Sequence, residues 1–169
     1  MKFKHVCGAF CLITLISLTC FFPAPAEGGQ AREGNAFQAA RASSVPASDL
    51  IQPDAFAAAL RKATVLKPLI LHVGFRVLYT QAHIPGSEYI GPGNRPEGIS
   101  QLRKRVESLP RTQPIVLYCG CCPWNECPNL GPAFQELRAM GFKDVKVLHI
   151  AQDFGSDWAD KGYPVEAGK

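Results

Sequence analysis

The chain has 169 residues, of which 47% are hydrophobic, 19% charged and 9% aromatic, and its formal net charge is +4. That length supplies one domain with a real core plus extra segments. Balanced hydropathy excludes a polytopic membrane protein, and so small a charge excludes a dedicated nucleic-acid binder; collagenous, coiled-coil and wholly disordered classes fail on composition.

At the N-terminus, Lys2, Lys4 and His5 form a basic segment before an uncharged apolar run from Val6 to Phe22. Ala24-Pro25-Ala26 then offers a small-residue cleavage site. Residues 1–26 read as a signal peptide, so the mature chain is expected to be exported, periplasmic or secreted, with no stable membrane span after cleavage. Retention as an N-terminal anchor is the alternative, although a span needs about 20 apolar residues and this run barely supplies them. Ser17-Leu18-Thr19 makes a poor lipobox before Cys20. Residues 27–48 are rich in Gly, Ala, Ser and Gln and read as a flexible linker.

The domain is expected over 49–169. Pro53 suits a first helical turn, with Phe56, Ala59 and Leu60 as one apolar face, and Lys67-Pro68 ends that helix. The run 69–73 predicts a buried strand ending at Gly74. Residues 76–95 read as a loop, with turns at Pro85-Gly86 and Pro92-Gly93 and a short strand at Tyr89-Ile90. Ser100 is a candidate cap for a helix carrying Leu102, Val106 and Leu109, stopped by Pro110. The run 115–118 predicts a second buried strand. Asn129 is the expected cap of a helix that turns Leu130, Phe134 and Leu137 inward and stops at Gly141. A third strand covers 145–150. This alternation implies a small α/β domain with a parallel sheet.

Removing residues 1–26 takes away Cys7, Cys11 and Cys20, and leaves Cys119, Cys121, Cys122 and Cys127 within nine residues. A disulfide framework spreads its cysteines to staple distant segments, so this cluster points to a site instead. In parallel α/β sheets, sites form at the carboxyl ends of strands. Cys119 stands at such an end, ahead of a loop and a helix N-terminus, where amides and the helix dipole favour a thiolate nucleophile. A small buried structural thiol is the bland alternative for any one of these residues. Four in one loop argue against it.

The motifs L-I-L-H-V-G-F-R (69–76), A-H-I-P-G-S (82–87), I-V-L-Y-C (115–119), L-R-A-M-G-F-K-D-V (137–145) and D-K-G-Y-P-V (160–165) follow in order. With these the chain resembles the rhodanese-like sulfurtransferase domain over most of 50–166. The resemblance implies a three-layer fold, a central parallel sheet flanked by helices. It also implies that Cys119 takes up sulfane sulfur as a persulfide and passes it to a thiol or cyanide. The expected donor is thiosulfate or a persulfide, and the expected acceptor a thiol or a redox partner protein. The anion cradle is expected from Gly120, Trp124, Asn125 and the loop amides, with Arg76 attracting an anionic donor. No cofactor and no metal are expected.

Three features depart from the family pattern. Gly74 stands where the family usually has Asp. The cysteine loop is longer than usual and carries Pro123 and Pro128, which lack N–H donors. Asn125 replaces the Arg of the C-x5-R pattern used by related phosphatases and arsenate reductases, which disfavours phosphate-ester chemistry.

The extra thiols keep two other readings open. Cys119-Gly-Cys-Cys122 is also a C-x-x-C after a strand, the pattern of a thiol-disulfide redox protein, with Cys121, Cys122 or Cys127 as resolving thiol. Four thiolates also suit zinc or a soft metal, but adjacent Cys121 and Cys122 are awkward at one tetrahedral centre. His83 is expected to serve structural hydrogen bonding, His72 and His149 to be satisfied core residues, Trp124 to cover the site and Trp158 to pack in the core. Arg103-Lys104-Arg105 reads as a solvated helix face.

Overall fold

The computed structural model describes residues 44–62 and 67–168. The expected signal peptide and most of the expected linker lie outside the described residues. Five strands form one parallel sheet: β1 (Leu50–Ile51), β2 (Leu69–His72), β3 (Glu88–Tyr89), β4 (Ile115–Tyr118) and β5 (Val145–Leu148). Their order is β1-β5-β4-β2-β3. Helices α1 (Pro53–Arg61), α2 (Arg76–Gln81), α3 (Pro96–Val106) and α4 (Leu130–Ala139) connect them. This is the α/β architecture expected from the alternating pattern.

The sheet is covered on both faces, as parallel sheets are. Strand alternation divides the apolar residues between two layers. On β4, Ile115 and Leu117 face the layer containing Ile99, Leu102, Val106 and Leu137 of α3 and α4. Val116 and Tyr118 face the other layer, with Phe56 of α1, Ile84 and Trp158. Trp158 is buried, as expected, and its Nε1–H donates to the Pro164 carbonyl at 2.8 Å.

Several boundaries differ from the sequence expectation. The packed domain reaches back to Val45, which is buried in the α3/α4 layer. On α1, Ala57 is buried whereas Ala59 is exposed. Helix α2 fills part of the segment read as loop. Helix α3 starts at Pro96 with Glu97 in its first turn, so Ser100 lies inside it rather than at its cap. His149 follows β5 and is half-buried against the Trp124 ring, not a core residue. The basic run on α3 clips neighbouring elements together: Arg103 forks onto Glu136 of α4 at 2.6 and 2.9 Å, and Arg105 onto Glu88 of β3 at 2.5 and 2.8 Å.

Candidate functional site: a three-thiol cluster at the end of β4

Two sequence motifs meet around β4. Tyr118 is buried, and its hydroxyl pairs with Ser87 Oγ at 2.8 Å and accepts the Ile84 N–H at 3.2 Å. Burial pushes the phenol well above its usual range, so it stays neutral and anchors the 82–87 turn. His83 serves the same turn. Its Nδ1 pairs with the Tyr79 carbonyl at 2.8 Å, and its backbone bridges Glu166. That is the structural role expected of it.

Cys119 continues the alternation of β4 one residue past the strand, so its side chain joins the same layer as Ile115 and Leu117. Its backbone is fixed by His72. The Gly74 N–H approaches His72 Nδ1 at 3.4 Å, which assigns the ring proton to Nε2 and lets it donate to the Cys119 carbonyl at 3.1 Å. Burial lowers the His72 pKa to about 4, so the ring is neutral at ordinary pH.

Gly74 explains itself here. A Cβ at that position would lie 2.8 Å from Cys119 Sγ and 2.9 Å from His72 Cε1. The site occupies the space that the family's usual Asp would need.

Cys119, Cys121 and Cys127 place their sulfurs within 4.8 Å of one another. Cys119 Sγ–H donates to Cys121 Sγ at 3.2 Å, and Cys122 Sγ lies 3.2 Å from Cys121 Sγ. Asn129 was expected to cap α4, yet its side chain makes no capping bond. It is fully buried, and Nδ2–H approaches Cys119 Sγ at 3.5 Å and Cys121 Sγ at 3.6 Å. Its Oδ1 accepts the Asn94 N–H at 3.4 Å, which orients the amide. Sequence reasoning missed this role, because a helix-start Asn has a sufficient local explanation.

The cluster shares its charge unevenly. Hydrogen bonding shared with the Cys119 and Cys121 thiols, and with the Asn129 backbone, holds Cys127 well below the ordinary thiol range. The same sharing with Cys121 and Cys127 pushes Cys119 up, and burial adds to this. Burial also pushes Cys122 up to about 11. Cys127 is therefore the thiol of the cluster that ionises most readily.

A cavity of 360 Å³ opens beside Cys119, lined by His72, Gln81, Gly120, Cys121, Asp153 and Phe154 among others. Gly120 has φ +72°, and a Cβ there would meet Phe154 Cβ at 2.7 Å, so only glycine permits this approach. Trp124, Asn125 and Arg76 are not among the residues that line the cavity. Trp124 turns edge-on to His149, Asn125 is exposed, and the Arg76 guanidinium lies 4.1 Å above the Tyr89 ring. The amides of Trp124, Glu126 and Cys127 donate to the carbonyls of Ala151, Pro123 and Trp124. A larger cavity of 550 Å³ lies between α1 and the Pro85-Gly86 turn, without a thiol in its lining.

Residues 52–150 match the family model described as Rhodanese-like domain. The chain belongs to that family. Solved structures agree on the rhodanese-like fold. The Alr3790 protein from Anabaena sp. is 24% identical with TM-score 0.53, covering 70% of this chain and 92% of that one. A thiosulfate sulfurtransferase from Pseudomonas aeruginosa is 27% identical with TM-score 0.52; the match covers 71% of this chain but 19% of that longer one. A Rhodopseudomonas palustris protein described as a possible tyrosine phosphatase is 19% identical with TM-score 0.52, covering 86% of this chain and 99% of that one. No protein with a curated description matches. The rhodanese-like resemblance read from the five motifs is thus established as family and fold.

Proposed function

We propose that this protein is an exported sulfurtransferase that carries sulfane sulfur on Cys119. The observation that carries the reading is the position of Cys119, at the carboxyl end of β4, lining an open cavity and converging with the sulfurs of Cys121 and Cys127. Cys119 reacts as the thiolate, its proton leaving to solvent through the cavity that it lines. The Cys119 thiolate then attacks the outer sulfur of a donor R–S–SH, the donor S–S bond breaks, RS⁻ leaves, and a Cys119 persulfide remains. An acceptor thiolate attacks the outer sulfur and returns the Cys119 thiolate. Asn129 Nδ2–H steadies the charge on sulfur.

The cavity favours a low-molecular-weight persulfide over thiosulfate. Asp153 is the charged side chain in its lining, and His72 is neutral. A dianion meets repulsion there. Export rests on the N-terminal basic and apolar segments.

A thiol-disulfide relay is the second reading, favoured by the 3.2 Å approach of Cys121 Sγ to Cys119 Sγ. Cys121 attacks the inner sulfur of the persulfide, HS⁻ leaves, and a Cys119–Cys121 disulfide forms at about 2.05 Å. A partner dithiol then reduces it.

Intact mass of the reduced, metal-free protein tests both. With a small persulfide donor, a gain of ~32 Da per chain, the mass of one sulfur atom, is expected and should vanish in Cys119→Ser. Thiosulfate should load more slowly. No gain from either donor, or an undiminished gain in Cys119→Ser, overturns the first reading. A two-proton mass loss on mild oxidation, without sulfur gain, selects the relay.

A further inference from the structure

The objection to a metal at this loop was the adjacency of Cys121 and Cys122. The structure removes that objection, because the converging set is Cys119, Cys121 and Cys127, and Cys122 stands outside it. For a metal–sulfur bond of about 2.3 Å, a trigonal site has a sulfur–sulfur edge of about 4.0 Å. The three sulfurs here lie within 4.8 Å of one another, with the Cys119–Cys121 edge at 3.2 Å, so small side-chain rotations produce that triangle. We propose that Cys119, Cys121 and Cys127 form a three-coordinate site for a soft monovalent ion, copper(I), with Asn129 as its hydrogen-bonding outer shell.

Three observations select this ion class. First, all the donors are thiol sulfur, which suits copper(I) and excludes hard cations such as magnesium or calcium. Second, among the described residues the converging donors number three: Cys122 is not one of the set, and His72 Nε2 is committed to the Cys119 carbonyl. Structural zinc sites take four ligands, whereas copper(I) accepts three. Third, the donors are preorganised. Asn129 is fully buried, its Nδ2–H faces two of the sulfurs, and its Oδ1 is held by Asn94. Such outer-shell donors offset the negative charge of a thiolate set.

Binding moves no electrons. Three copper–sulfur bonds form, and the thiol protons that remain go to solvent. The proposal uses the same cysteines as the sulfur-transfer reading, and a bound ion would take Cys119 out of that reaction. The two stand or fall separately, because copper binding is read without any sulfur donor.

Anaerobic titration with the copper(I) complex of bicinchoninate is the test. The reduced full-length protein should withdraw one equivalent of copper(I), and X-ray absorption should report three sulfur neighbours. Cys119→Ser, Cys121→Ser and Cys127→Ser should each weaken binding by more than about a hundredfold, beyond the 10–100-fold loss expected from an outer-shell change. Cys122→Ser should bind as the parent does. Near-ultraviolet circular dichroism identifies any variant that fails to fold, and the absorption spectrum of the parent needs no variant. Failure to withdraw copper, a two- or four-sulfur shell, or an equal loss in Cys122→Ser overturns the proposal.

Discussion

At the scale of single residues, the site is set by what two glycines leave out. Gly74 leaves room for Cys119 Sγ and His72, and Gly120 lets the loop pass Phe154 in a left-handed conformation. Gly74→Ala should therefore act on the sulfur rather than on the fold. The added methyl must displace Cys119 Sγ from the cluster, and overpacking of this kind costs about 1–3 kcal/mol. Persulfide loading followed by mass spectrometry should fall at least tenfold, while thermal unfolding remains cooperative. Unchanged loading would show that the Cys119 position is not critical. The absence of the usual family Asp was legible in the sequence, but its reason was not, because the atoms that occupy the space come from β2 and from the residue after β4. Asn129 teaches the same lesson: its position announced a cap, and only tertiary contact redirected the amide to sulfur.

At the scale of elements, β2, β4, β5, α1 and α4 were legible because their apolar runs and stop signals are local. Strand β1 has two residues and is defined by pairing with β5, and β3 pairs with β2 through two residues as well. Strand β1 carries no period long enough to read, whereas β3 was read one residue late, at Tyr89-Ile90. Helix α2 lacks an acidic first turn and makes no side-chain cap bond, so nothing local announced it. The Arg105–Glu88 and Arg103–Glu136 pairs join elements that sequence order separates, but they are partly solvated and each contributes about 1 kcal/mol or less. Leu117, fully buried on the central strand, carries more. Chemical denaturation should show a loss of about 2–5 kcal/mol for Leu117→Ala, against about 1 kcal/mol or less for Arg105→Ala. Equal losses would mean that the ionic clips, not the core, hold the sheet.

For the whole molecule, His72 ties acid stability to the site. Its folded pKa of about 4 lies below the ordinary histidine value of 6.5. Between those values the unfolded chain binds the proton and the folded one resists it, so stability falls as pH drops through this window. A difference of this size corresponds to roughly 3 kcal/mol. His72→Gln should lose that part of the acid slope between pH 6.5 and pH 4, measured by denaturant midpoints at each pH. An unchanged slope would place the acid sensitivity elsewhere.

The cysteine loop is stitched at two points to the chain that follows β5. The Trp124 N–H donates to the Ala151 carbonyl, and the Phe154 N–H donates to the Gly120 carbonyl. Asp153 and Phe154, which line the cavity, belong to that same stitched segment. The thiol loop and the wall of its cavity are therefore held in one hydrogen-bonded unit. Gly120, the one residue between Cys119 and Cys121, is thus the point at which the thiol loop touches the wall of its own entrance.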